Sequence, residues 1–151
     1  MKFEADSLYC LKKSEYILNR LEEKFIEFQK ELNSFASSSS PLKGVLIEPA
    51  ADLKSVAVRY RTAAIILRLY LQFNGQNMPS ARIEATIDKS TNCKDLGILG
   101  VVVFDAQGSI DLDPGNEQYR VHLIESAQVI VTHFLMLALK HNVSPLSNMA
   151  H

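Results

Sequence analysis

Three aspartates offer this chain its best prospect of chemistry. In the segment Phe104–Asp113 (FDAQGSIDLD), Asp111 and Asp113 share one side of a strand, and a hairpin register that sets Asp105 opposite Ser109 adds the third. Such a trio could hold a divalent cation, or raise one carboxyl pKa for acid–base work in a metal-dependent enzyme. The spacing is not that of a calcium loop, which needs D-x-[DN]-x-[DN]-G. Asp105 also suits a turn and Asp113 a helix cap, so the structural reading outweighs the metal reading, and no metal site is assigned.

The other reactive residues are scattered. The histidines are His122, His133, His141 and His151, without an HExxH motif or a partnering cysteine pair. On one helix, His122 and His133 would share a face about 16 Å apart along the axis, too far for one ion. Cys10 falls beside an apolar seam, where a small buried role is expected, and Cys93 lies in the polar loop STNCKD. There is no G-x-S-x-G elbow, phosphate loop or G-x-G-x-x-G turn. No catalytic residue is therefore named, and no cofactor is implied.

One basic patch carries an aromatic: Arg59-Tyr60-Arg61, with Lys54 and Arg68. It admits a winged-helix regulator of nucleic acid, with helices at 62–74 and 80–89 and residues 101–113 as the wing. That wing would bring three aspartates to the phosphates, which repel them, so nucleic acid is a weak partner for this chain.

Composition narrows the class further. The 151 residues carry 16 basic and 17 acidic groups, net −1, and 47% are hydrophobic, which excludes a disordered tail or a polybasic arm. Charge is uneven: residues 41–80 hold 5 basic and 2 acidic groups (+3), residues 96–151 hold 2 and 5 (−3). Two cysteines cannot build a disulfide framework or a four-sulfur zinc site. The start, MKFEADSLYCLKKSEY, has charges in every turn and does not read as a leader, and the apolar run 129–139 is too short to span a membrane. The expectation is a cytoplasmic protein with no membrane association.

The elements that would position these residues follow from periodicity. From Ser7 to Phe35 apolar residues recur at Leu11, Leu18, Phe25 and Leu32, and again at Leu21, Phe28 and Phe35, with Ser14 alone out of pattern. This predicts a long helix capped by Asp6 or Ser7 and ending before the loop 37–41. Residues 49–74 read as a third helix, with Pro49 in its first turn and Gly75 as its C-terminal cap. The alternative is a further long strand with a bulge between Tyr60 and Ile65.

Alternation from Ala81 to Ile87 predicts a strand. A hairpin follows, turning at Ala106-Gln107-Gly108 and pairing Phe104 with Ile110 and Val102 with Leu112. Asp113-Pro114 then opens a last helix to about His141, apolar all round from Phe134 to Leu139.

The fold expected is α+β: long N- and C-terminal helices packed on a small antiparallel sheet. Residues 1–142 form one domain and 143–151 a flexible tail. Helix exceeds what a small sheet can cover, which points to a non-enzymatic interaction or binding module, self-associating or bound to a protein partner. Its candidate interaction residues are Leu11, Leu18, Leu21, Phe25, Phe28, Leu32, Phe134 and Leu137. Partner, biological role and any small-molecule ligand stay open.

Overall fold

The computed structural model describes residues 4–36, 42–88, 97–111 and 120–149. A helix, α1 (Glu4–Phe35), precedes seven strands: β1 (Leu46–Pro49), β2 (Ser55–Tyr60), β3 (Ala63–Phe73), β4 (Pro79–Ile87), β5 (Ile98–Phe104), β6 (Ser109–Asp111) and β7 (Arg120–His122). A second helix, α2 (Ala127–Met149), closes the order. The strands form one antiparallel sheet in sequence order, each paired with the next, and both helices pack on it, as the α+β expectation requires.

Why α1 is a helix is plain from its sequence: 32 residues without glycine or proline, repeating apolar side chains every three or four positions. Leu21, Phe25, Phe28 and Leu32 are fully buried, Phe35 nearly so, and the Phe25 and Phe28 rings stack at 6.0 Å. At 1.5 Å per residue the helix is about 48 Å long, and its first three turns lie largely outside the core. It begins at Glu4, so Asp6 and Ser7 stand inside its first turns and are not the caps expected of them.

The core face of the sheet is built by strict alternation. Val56 and Val58 on β2, Ile65 and Leu67 on β3, Ala81, Ile83 and Ala85 on β4, and Phe104 on β5 point inward, and all are buried. The opposite face carries Arg59, Arg68, Arg82, Glu84 and Thr86, the wet side of a one-faced antiparallel sheet. There Arg82 lies over the Tyr70 ring at 4.7 Å and pairs with Glu84 at 3.3 Å. Between Ala85 and Thr86 the β4–β5 register shifts, leaving Leu99 as the extra residue of a bulge.

Residues 49–74 are not a helix. They hold the end of β1, all of β2 and all of β3. The parity change between Tyr60 and Ile65 marks a chain reversal instead of a bulge. Tyr60 pairs with Ala63 across the two-residue turn Arg61-Thr62, with Arg61 at φ 53°. The β-branched pairs Val56, Val58, Ile65 and Ile66 suit a pleated surface better than a helix. Gly75 is correspondingly no helix cap. It belongs to the β3–β4 turn, where Asn77 takes the positive φ of 58° and the Asn74 side chain accepts from the Gln76 and Met78 amides.

At the β5–β6 turn the expected register appears. Phe104 pairs with Ile110, the Asp105 amide donates to the Ser109 carbonyl, and Gly108 sits at φ 82°. The companion pair, Val102 with Leu112, falls outside the described residues.

The last helix starts later than the sequence suggests. Arg120, Val121 and His122 pair with Asp111, Ile110 and Ser109, so this stretch is strand β7 where a helix from Pro114 was expected. Ladder pairing with β6, which sets Val121 opposite the buried Ile110, outweighs the helical start signal of Asp113-Pro114. α2 buries Ala127, Val131, Phe134, Leu135 and Ala138, at helical spacing, and leaves Met136 exposed. Its backbone runs through Pro145 to Met149, across most of the stretch read from sequence as a tail.

Candidate functional site

The eight apolar residues singled out by the sequence divide sharply. Leu21, Phe25, Phe28, Leu32 and Phe134 belong to the buried core, and Leu18 and Leu137 are packed against it. Leu11 alone is open, 51% exposed.

Leu11 draws attention to the N-terminal third of α1. Seam positions from Leu18 onward rest on the sheet and on α2. Before that, Ser14 and Cys10 occupy the inward side, and neither offers the bulk of a leucine or phenylalanine to fill the space beneath. The helix consequently passes beside the tip of the β3–β4 hairpin with clefts open between them. One, of about 430 Å³, is bounded by Asp6, Cys10, Leu11, Phe73 and Asn77. Another, of about 470 Å³, is bounded by Tyr9, Lys13, Ile17, Met78 and Pro79, and Cys10 lines it too.

The rim of these clefts is apolar and wet. Tyr9 is 70% exposed, Met78 50% and Phe73 39%. Charge is sparse: Asp6 and Lys13 stand seven residues apart, on either side of Cys10, and join no ion pair among the described residues. Phe73 and Met78 escape periodicity analysis, because they meet α1 only through the tertiary fold. The available signal was the lapse of the seam at Ser14, with Leu8, Tyr9 and Tyr16 lying off it.

The chemical candidates are placed as follows. The Asp105 carboxylate accepts from the Gln107 and Ser109 amides, at 3.0 and 2.9 Å, and so closes the turn. Asp111 lies on β6 opposite Arg120, and Asp113 is outside the described residues, as is Cys93. His122 is on a strand and His133 on α2, so they share no helical face. His122 Nδ1 accepts from the Ile124 amide at 3.3 Å, while its ring lies over Gly108.

The basic patch is spread over several partners. Arg59 pairs with Asp88 at 3.7 Å, Lys54 with Glu22, and Arg61 donates to the Tyr60 hydroxyl at 3.1 Å. That hydrogen bond holds the exposed Arg61 guanidinium above its ordinary pKa. The winged-helix arrangement fails on its helices: strands β3 (Ala63–Phe73) and β4 (Pro79–Ile87) stand where they were expected. Among the described residues no three His, Cys, Asp or Glu side chains converge as metal ligands.

No helix among the described residues is long and apolar enough to cross a membrane. No protein-family model, curated protein or solved structure matches the chain.

Proposed function

We propose that this protein is a non-enzymatic binding module that self-associates, and that it works through the surface formed by the first turns of α1 and the β3–β4 tip. The observation that carries this reading is the exposed apolar lining of the clefts: Tyr9, Leu11, Phe73 and Met78, each 39–70% exposed. Exposed apolar side chains gathered at one place on a surface mark interaction sites.

The core of the domain supports the division of labour. Most seam residues are spent on internal packing, which leaves the outer turns of α1 free for contact.

Light scattering across a concentration series tests the proposal. A chain of 16.9 kDa should give twice that mass or more at micromolar concentration. The monomer mass throughout the series would overturn self-association.

A further inference from the structure

We infer that the wet face of the sheet holds a second binding site, where the β3–β4 and β5–β6 turns meet, and that its ligand is a neutral, hydroxyl-rich molecule the size of a monosaccharide. The residues of this site line neither cleft beside α1, so it stands apart from the self-association surface.

The meander builds a row of polar side chains there. Gln72 pairs with Ser80 across β3 and β4. Asp105 falls one step past the Ala81–Phe104 pair, beside Ser80, and faces Ser109 across the β5–β6 turn. Strand alternation puts all four on the wet face, with neighbouring strands about 4.8 Å apart. Together with Asn74 and Val103 they border a cavity of about 320 Å³, and the buried Phe104 and Ile110 complete its lining. Small-molecule sites span about 300–1,000 Å³, so this one suits a ligand at the small end.

Hydrogen bonds within the protein fix what the row offers. Arg82 donates to Gln72 Oε1 at 3.1 Å, which orients the amide so that its Nε2 donates to Ser80 Oγ at 3.2 Å. The Ser80 hydroxyl, already an acceptor, keeps its proton to donate. Asn74 Oδ1 accepts from the Gln76 and Met78 amides, at 2.9 and 3.0 Å, which leaves Nδ2 as a donor. Asp105 Oδ1 accepts from the Gln107 and Ser109 amides, which leaves Oδ2 as an acceptor.

One carboxylate acceptor beside amide and hydroxyl donors selects the chemistry of the ligand. No lysine or arginine lines the cavity, so an anion would meet the repulsion of Asp105 with no cation to offset it. A cation would face the amide hydrogens of Asn74. An apolar ligand would strip water from the polar row without replacing its hydrogen bonds. A hydroxyl both donates and accepts, so neighbouring hydroxyls on one ring can give a proton to Asp105 and accept from Ser80 or Asn74.

The test is a titration of the isotope-labelled full-length protein with glucose, galactose, mannose and inositol, followed by amide resonances, with inorganic phosphate as the contrasting probe. At least one of the four should shift Ser80, Asp105 and Ser109 saturably in the millimolar range. Asp105→Asn keeps an oxygen for the turn amides but presents a donor to the cavity, and should weaken that binding at least about tenfold. Ser80→Ala should weaken it severalfold, and circular dichroism confirms that both variants fold. No saturable shift with any of the four, a response of the same amides to phosphate, or binding that both substitutions leave unchanged would each overturn the site. The mass read by light scattering should be the same for both variants as for the wild type, so the loss of either reading leaves the other standing.

Discussion

Gly100 lies beneath the ring of Phe134: a Cβ built on Gly100 would fall 2.5 Å from Phe134 Cε1. Gly100 pairs with Ala85 on the core face of the sheet, and Phe134 is 4% exposed, so this is where α2 settles directly onto the β5 backbone. Gly100→Ala should overpack this contact and cost about 1–3 kcal/mol. In a Phe134→Leu background the same substitution should cost at least about 0.5 kcal/mol less, because the ring it strikes is gone. Urea denaturation of the two single variants and the double variant measures this coupling; strictly additive losses would show that the ring is not what glycine accommodates.

Val102 and Val103 separate the two faces of β5. Val102 pairs with the buried Ile83, whereas Val103 is 42% exposed and pairs with Arg82. Val102→Asp should cost several kcal/mol, since it sets an uncompensated charge against the core. Val103→Asp puts the carboxylate opposite a guanidinium in water and should cost well under half as much. Equal losses of Tm would contradict the register.

Phe25 is fully buried in α1 and stacked on Phe28. Its replacement by alanine should cost about 3–5 kcal/mol of stability. Ile26, one position round the helix and only partly buried, should accept glutamine at a fraction of that loss. Thermal melts compare the pair.

Arg61 adopts φ 53° as the first of two turn residues between β2 and β3. Left-handed backbone costs an ordinary L residue about 1–2 kcal/mol, and glycine is preferred at this place in a two-residue hairpin. Arg61→Gly gives up one exposed hydrogen bond to Tyr60 and some unfolded-state entropy. A net gain of up to about 1 kcal/mol is expected. A lower melting temperature for the variant would mean that the Tyr60 contact matters more than the strain.

Local patterns revealed those elements whose periodicity is unbroken. α1 was legible because its apolar spacing is sustained, β4 because nine residues alternate strictly, and the Phe104–Ile110 pairing because one turn fixes it. The stretch 49–74 misled because Leu53, Val56, Ala57, Tyr60, Ala64, Leu67 and Leu71 match a helical stripe, while its β2–β3 turn, Arg61-Thr62, lacks glycine and proline. β7 was hidden because three residues are too few to show a period, and a proline start signal precedes them. The candidate site was hidden more deeply. It joins residues 6–17 to residues 73–79, which are far apart in the sequence.

The meander order has a consequence for synthesis. Each strand pairs with the one made just before it, so the sheet can assemble as a succession of local hairpins with little loop-closure cost. Its cover comes from opposite ends of the chain: α1 precedes every strand, and α2 is translated after all of them. Until α2 leaves the ribosome, the area that Phe134 and Leu135 will occupy, over β3 and β5, stays open to water. A nascent chain halted before Ala127 would thus expose a finished sheet with half its lid missing, a surface suited to chaperones and to aggregation.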